Sequence, residues 1–269
     1  MTSLTFLAKE VLEAASPKQK LAAAKALSAG FSANFPLGGT VSLNDSPARP
    51  VKPIMVPPSD VPRRRLGTMA GRAALLHAVA HIEFNAIDLA ADMLARFIFE
   101  PTFCDSQRLN FAKDWISVCD DEARHFNMVC KRLSELGVQY GDHPAHNGLW
   151  DAAIATKDNF AARLAIAPLV LEARGLDVTP AMIDKLRSVN DMKSAEVLNV
   201  IYTEEVRHVA IGRHWFGIVA KNSTEKEEET FQRLVKTYFK GSLKPPFNIL
   251  ARDKAQLPRE FYLNPSLST

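Results

Sequence analysis

Two short stretches of the sequence share a pattern that is suited to metal binding. Residues 121–125 read DEARH and residues 204–208 read EEVRH, so both give acid-Glu-x-Arg-His. On a helix, a Glu and the His three positions later lie on the same face. A single match is unsurprising in a chain with seven histidines. Two matches with the same flanking residues indicate a repeated site in which carboxylate and imidazole groups reach the same ion.

A second pair of stretches repeats a lone glutamate. The stretches IEFNAID and LEARGLD place Glu83 and Glu172 five residues before Asp88 and Asp177. Because a lone Glu precedes each Glu-x-x-His along the chain, the order predicts a two-helix unit that is used twice. The two aspartates could orient the ligands, or they could cap helices or face solvent.

All four glutamates are predicted on the apolar faces of their helices. The residues three, four and seven positions away are mostly apolar, as with Val79 and Ile87 around Glu83. A buried carboxylate without a cationic partner is strongly unfavourable. The motif arginines are poor partners, because each lies about 200° around the helix from its Glu. Two divalent ions would balance the four carboxylates. The predicted ligands are Glu83, Glu122, His125, Glu172, Glu205 and His208.

The ligand types favour two iron ions, with manganese or a mixed Mn/Fe pair as the alternative. Structural zinc would more often use thiolates, and mixed carboxylate and imidazole ligation is typical of iron and manganese. The three cysteines form no CxxC pair. An odd and sparse set of cysteines indicates buried thiols in a reducing compartment, so neither a zinc ribbon nor a disulfide framework is expected.

Helical periodicity dominates the chain, and no alternating apolar strand pattern is found, so the predicted class is all-α. The predicted long helices span 67–99, 107–137, 150–175 and 190–221. The predicted shorter helices span 3–15, 18–29, 180–188 and 223–239. Ser16 and Pro17 are typical of a helix start, and the same holds for Thr179 and Pro180 at the end of the stretch LDVTP.

The predicted organisation is a single domain over residues 1–269. Residues 1–66 supply two N-terminal helices and, from residue 31, an irregular arm that lies against the body. Residues 67–221 form a four-helix bundle that carries the metals, and residues 222–269 form a C-terminal helix and an extended tail. The stretch RRRL at 63–66 could contact RNA phosphates, but a solvated charge run before a helix is the favoured interpretation.

Length and composition suit a chain that buries a sizeable core. The chain has 269 residues and a formal net charge of +3, which is too weak to indicate nucleic acid or an anionic membrane as a partner. No apolar run reaches the roughly 20 residues that a membrane span needs. The N-terminus has acids where a signal peptide would have an apolar run. The sequence therefore predicts a cytoplasmic protein with no membrane contact.

The ligand set resembles that of the ferritin-like di-iron carboxylate superfamily. The stretches AHIEFNAIDLA, DDEARHF, LEARGLDVTP and YTEEVRHVAIG resemble a bacterial ferritin-like family known as domain of unknown function 455, a relative of the tRNA hydroxylase that acts on isopentenyl-type adenosine. The resemblance implies a ferritin-like four-helix bundle. It also implies that Asp121 and Glu204 each hold the histidine of the opposite helix.

The favoured function is an oxygen-activating di-iron oxidase or hydroxylase. The substrate would be a small molecule or, by the resemblance alone, an RNA nucleoside, and an electron donor protein is a possible partner. The alternatives are an iron-handling ferroxidase and a metal-stabilised bundle without turnover. Tyr202, three residues before Glu205, could lie near the metals, although a core role is favoured. His77 and His81 are expected to pack in the core or to orient ligands, while His143 and His146 are expected to face solvent.

Overall fold

The helices follow the apolar periodicity of the sequence. The computed structural model describes residues 2–32, 35–61 and 65–263. Within these residues the regular structure is helical, and the one β feature is an isolated bridge between Met55 and Ala145. The all-α class is therefore confirmed. The helices are α1 (Leu4–Glu13), α2 (Pro17–Gly30), a 3₁₀ turn (Pro58–Asp60), α3 (Met69–Phe97), α4 (Asp105–Glu135), α5 (Gly148–Ala155), α6 (Phe160–Ile166), a π-helical segment (Ala167–Glu172), α7 (Ala173–Ser188), α8 (Met192–Ala220), α9 (Glu227–Tyr238), α10 (Ile249–Lys254) and α11 (Arg259–Tyr262).

Side-chain caps fix where the long helices begin. The side chain of Thr68 accepts a hydrogen bond from the Gly71 amide at the start of α3. At the start of α8, the side chain of Asp191 accepts a hydrogen bond from the Ser194 amide. Ser16 caps α2 with Pro17 in its first turn, as the sequence predicts. Each cap satisfies an amide that has no partner inside its helix.

Backbone contacts divide the chain into two compact units, residues 1–150 (unit 1) and 151–269 (unit 2). In unit 1, α3 and α4 pack along each other, α1 packs on α3, and α2 packs on α1 and α4. The core of unit 1 contains fully or almost fully buried aromatic and aliphatic side chains, among them Leu76, Phe84, Phe111 and Phe126. The single-domain organisation stays a prediction.

The irregular arm lies against the helices of unit 1. The Leu4 amide donates to the Pro36 carbonyl at 3.0 Å, and the Ala48 amide donates to the Leu12 carbonyl at 2.8 Å. Arg49 reaches α3, where its guanidinium donates to the carboxylate of Asp88 at 2.5 Å. The first two arginines of the RRRL stretch fall at 63 and 64, outside the described residues.

Unit 2 is built on the second pair of long helices. The π-helical segment and α7 pack against α8, α9 packs on α6, and α10 contacts α7 and α8. Gly212 on α8 allows a close approach to Pro168, because an added Cβ would lie 2.3 Å from the proline Cβ. The core includes the buried side chains of Trp215, Phe216 and Phe231.

The predicted break between helices at 175–180 is wrong. The helical run continues from Phe160 to Ser188 with Pro180 inside it, and the break falls earlier, where Asn159 caps α6. A proline leaves the carbonyl four residues before it without its usual amide donor. Here that carbonyl belongs to Leu176, and it accepts a hydrogen bond from Asn248 Nδ2 at 3.1 Å. A donor from a distant segment thus compensates for Pro180, which the local sequence does not reveal.

The prediction of an extended C-terminal tail is also wrong for residues 249–254 and 259–262, which are helical. The segment after α9 contains the short helices α10 and α11. The structure explains α10 by a side-chain cap and an ion pair. The Asn248 side chain accepts from the Ala251 amide, and Arg252 donates two hydrogen bonds to Asp177 at 2.8 and 2.7 Å.

His77 is a buried histidine in the core of unit 1. Its ring stacks on Tyr140, with 5.4 Å between the ring centroids, and its Nε2 accepts a hydrogen bond from the Gly141 amide at 2.9 Å. Burial lowers the pKa of His77 to about 4, and the neighbouring His143 adds to the shift. The folded state therefore stabilises the neutral ring, with Nε2 as the acceptor.

We expect His77 to make the protein sensitive to acid. Because its pKa in the folded state lies below the ordinary value, the unfolded chain binds the proton first as the pH falls. The neutral ring contributes stability above about pH 6.5, and this contribution, roughly 3 kcal/mol, is lost as the pH falls to about 4. The variant His77→Gln should flatten the dependence of the unfolding free energy on pH over this range. Guanidinium unfolding at several pH values measures it. The exposed His214 provides the control variant His214→Gln, and an equal slope in wild type and His77→Gln would contradict the prediction.

Candidate metal centre

Unit 1 brings three of the predicted ligands together. Glu83 on α3 and Glu122 and His125 on α4 are 4%, 1% and 0% exposed. His125 Nδ1 lies 3.2 Å from Glu83 Oε2 and 3.5 Å from Glu122 Oε2. One ligand atom from each of the three residues falls within 4.8 Å of the others. We call these three residues the unit 1 cluster.

The electrostatics of the unit 1 cluster favour a cation. Burial alone would lower the pKa of His125, but the nearby carboxylates of Glu122 and Glu83 outweigh it and raise the pKa to about 11. The two carboxylates therefore stabilise positive charge at Nδ1. A metal ion would satisfy the same two carboxylates and leave the imidazole neutral, with Nδ1 as the candidate ligand atom. Two carboxylates balance one divalent ion, and ligation by carboxylates with an imidazole fits iron or manganese.

The helix pairing explains why these residues meet. The i, i+3 spacing places Glu122 and His125 on one face of α4. That face packs on α3, and the ring of Phe126 lies 5.2 Å from that of Phe84, next to Glu83 in sequence. The glutamates themselves are almost fully buried, so their carboxylates lie in a dry setting where charge interactions are strong.

Unit 2 repeats the pattern on α8. Glu205 Oε1 lies 3.4 Å from His208 Nδ1, and the two side chains are 14% and 0% exposed. As in unit 1, Nδ1 is the nitrogen that faces the carboxylate. Glu172, the last residue of the π-helical segment, is half-buried, and this segment packs on α8. A proline inside a helix is expected to kink it. At Pro168 the structure has a π-helical turn, a feature that is frequent at functional sites.

The other predicted site residues lie outside the unit 1 cluster. Asp121 accepts a hydrogen bond from Arg124 on its own helix at 2.9 Å, and Glu204 is half-buried. The hydroxyl of Tyr202 accepts a hydrogen bond from Asn248 at 2.9 Å. The proposed roles of these three residues at the metals stay predictions. His81 Nδ1 lies 2.9 Å from the Tyr140 hydroxyl, so this histidine is hydrogen-bonded within the core of unit 1.

The repeated aspartates have a role that the sequence analysis missed. Asp88 is fully buried and is held by Lys20 of α2 and by Arg49 of the arm. Asp177 is equally buried and is held by Arg252 of α10. Neither aspartate caps a helix or faces solvent. In each unit, the acid five residues after the lone glutamate binds a basic residue from a terminal extension.

Comparison with known proteins agrees with the resemblance of the four stretches. A family model described as protein of unknown function (DUF455) matches residues 13–263. The chain belongs to the DUF455 family. Over 208 residues it is 42% identical to a protein of Haemophilus influenzae described as "Uncharacterized protein". The aligned residues cover 76% of this chain and 72% of that relative. No solved structure matches the chain.

The DUF455 match covers both halves of the predicted ligand set. Residues 13–263 include the unit 1 cluster and the Glu205 and His208 pair. Across the described part of this DUF455 chain, no helix is both long enough and apolar enough to cross a membrane. The chain of this family therefore contains a buried group of glutamates and a histidine that could hold a metal ion.

Proposed function

We propose that this chain is a di-iron protein of the ferritin-like superfamily and that it oxidises or hydroxylates an organic substrate with dioxygen. Each unit would contribute one ion, held by Glu83, Glu122 and His125 in unit 1 and by Glu172, Glu205 and His208 in unit 2. Manganese, alone or paired with iron, is the alternative metal. The observation that carries the proposal is the buried unit 1 cluster, together with its sequence repeat on α8.

The charge of the ligands supports one ion in each unit. Two glutamates and one neutral histidine carry two negative charges, which a divalent cation neutralises. Without such an ion, burial of two carboxylates side by side would be unfavourable, and the proton on His125 compensates for only one of them. The arrangement of the unit 1 cluster is the one expected for a ligand set that is completed by metal.

The chain itself would bind the ions, exclude water and keep the ligands oriented. Glu83, Glu122 and His125 are themselves 4%, 1% and 0% exposed, so water has little access to the unit 1 cluster. When bound, the metal pair supplies the redox chemistry for reduction of dioxygen, with electrons from a donor protein. An apolar organic molecule or an RNA nucleoside is the proposed substrate class. The net charge of +3 lends no support to RNA.

Metal analysis followed by reaction with oxygen tests the proposal. Protein purified without added metal should contain about two iron or manganese ions per chain, as expected for a dinuclear carboxylate site. Anaerobic loading with ferrous iron and then exposure to dioxygen should change the optical spectrum. Protein without bound metal would contradict the metal site. Bound iron with no optical change would contradict oxygen activation and leave a metal-stabilised bundle.

A further inference from the structure

Unit 2 contains an open groove formed by α7, α8 and α10. Its volume is about 530 Å³, within the range of small-molecule sites. Much of its wall is apolar, with Pro180 and Ile183 from α7, Val206 from α8 and Leu250 from α10. Leu250 lies at the edge of the groove and is 77% exposed, so it can contact a ligand. We call this feature the α7–α8 groove.

The α7–α8 groove carries a net positive charge. Arg187 and Lys254 line it together with a single acid, Asp184. Arg187 lies 3.6 Å from Asp184, but their side chains are 48% and 77% exposed, so this ion pair is weak. Lys254 takes part in none of the ion pairs found among the described residues. The lining residues therefore leave one positive charge for a ligand.

The groove also offers a fixed hydroxyl donor. Asn248 Nδ2 donates hydrogen bonds to the Leu176 carbonyl and to the Tyr202 hydroxyl. Its Oδ1 atom accepts a hydrogen bond from the Ala251 amide. Because the Tyr202 oxygen is the acceptor from Asn248, its own proton remains a donor for a ligand. The Asn248 contacts hold the phenol in place, so the donor is oriented before a ligand binds.

Tyr202 lies on α8 beside the helix face that carries Glu205, one of the proposed ligands of unit 2. The groove residues of α8 are Asn199, Tyr202, Thr203 and Val206, which form one stripe along the helix. Glu205 lies on the neighbouring stripe, about 60° around the helix from Tyr202. A ligand in the groove would contact the helix face beside the one that carries Glu205.

We propose that the α7–α8 groove binds a small amphipathic carboxylate, that is, an organic acid with an alkyl or aryl body. The apolar wall accommodates the body, while Arg187, Lys254 and the Tyr202 hydroxyl recognise the carboxylate. A monoanion matches the single spare charge, whereas a phosphate dianion would be only partly neutralised. This binding site goes beyond the proposed function and does not require bound metal.

Octanoate, used below its micelle concentration, is a suitable probe. Isothermal titration should show one saturable site, and octan-1-ol and octylamine should bind at least about tenfold more weakly, since they lack the anion. The double variant Arg187→Gln/Lys254→Gln should lose about tenfold in octanoate affinity. Lys185→Gln, an exposed change on α7 outside the groove, is the matched control. Leu250→Asp, at an exposed position, should abolish binding without disturbing the core.

The outcomes separate this inference from the metal site. Octanoate affinity should be the same in wild type and in the Glu122→Gln variant, whose change lies in unit 1. Binding in that variant supports the groove even if the metal analysis fails. Absence of saturable octanoate binding, equal binding of octanoate and octan-1-ol, or unchanged affinity in the double variant would each overturn the inference.

Discussion

Replacement of Glu122 by glutamine should remove the metal ion from unit 1. The amide has the shape of the carboxylate but no charge, so the unit 1 cluster would keep only one negative ligand for a divalent ion. Loss of residues that merely orient ligands typically costs 10–100-fold in metal affinity, so loss of a direct ligand should cost at least roughly 100-fold. Elemental analysis after dialysis against a chelator measures the metal that remains.

An exposed acid on the same helix is the matched control. Asp120 lies two residues before Glu122 and faces solvent. Asp120→Asn should retain the metal content of wild type, while Glu122→Gln should lose at least one ion per chain. Full metal content in Glu122→Gln, or an equal loss in both variants, would refute the assignment of Glu122 as a ligand.

Thermal unfolding shows whether Glu122 serves metal binding or the fold. A bound metal stabilises the folded state by an amount that grows with the logarithm of its affinity, so metal-loaded wild type should melt well above metal-free wild type. Glu122→Gln should lack most of this difference. In the metal-free state the variant should be about as stable as wild type or more stable, because it no longer buries one carboxylate. A large loss of stability in the metal-free variant would instead indicate a structural role.

The unit 1 cluster could be predicted because its signal is local. Glu122 and His125 are three residues apart on a helix, and Glu83 lies on the apolar face of the helix that precedes theirs. Such residues need only regular helices and one packed pair to meet. The structure brings these three together, whereas the roles of Asp121 and Glu204 depend on contacts between distant helices that the motifs do not determine.

The course of the chain after residue 150 was harder to predict because distant residues determine it. Pro180 and the capping pattern at Thr179 favour a helix start when only neighbours are considered. The Leu176 carbonyl has a donor 72 residues later in the chain, in Asn248, so the helix continues through the proline. No periodicity in residues 171–188 indicates that donor.

The repeated aspartates show a signal whose presence the sequence revealed but whose partners it did not. Asp88 and Asp177 occupy the same position in the two halves, and both lie on helices next to an apolar face. A buried acid requires a cationic partner, and the partners come from the terminal extensions, Arg49 before the first half and Arg252 after the second. In each unit, an ion pair between a buried aspartate and an arginine therefore holds the terminal extension on the core.

Loss of Asp177 should strongly destabilise unit 2. Its carboxylate accepts two hydrogen bonds from Arg252 and one from the Asn248 amide at 2.9 Å. The side chains of Asp177 and Arg252 are 0% and 4% exposed. An arginine does not lose its proton in a protein, so Asp177→Ala would leave a buried positive charge without its partner. Removal of one member of a buried pair typically costs about 3–5 kcal/mol.

Guanidinium unfolding followed by circular dichroism measures this loss, and two variants make it specific. Asp253→Ala removes an exposed acid that pairs with Arg259, and it should change stability little. The double variant Asp177→Leu/Arg252→Met should recover most of the stability, because it replaces the pair with apolar groups. Its new methionine side chain would keep contact with the ring of Tyr262, which lies 4.4 Å from the Arg252 guanidinium carbon. If the single and double variants were equally unstable, the unpaired charge would not be the cause, and loss of the Asn248 contact would explain the effect instead.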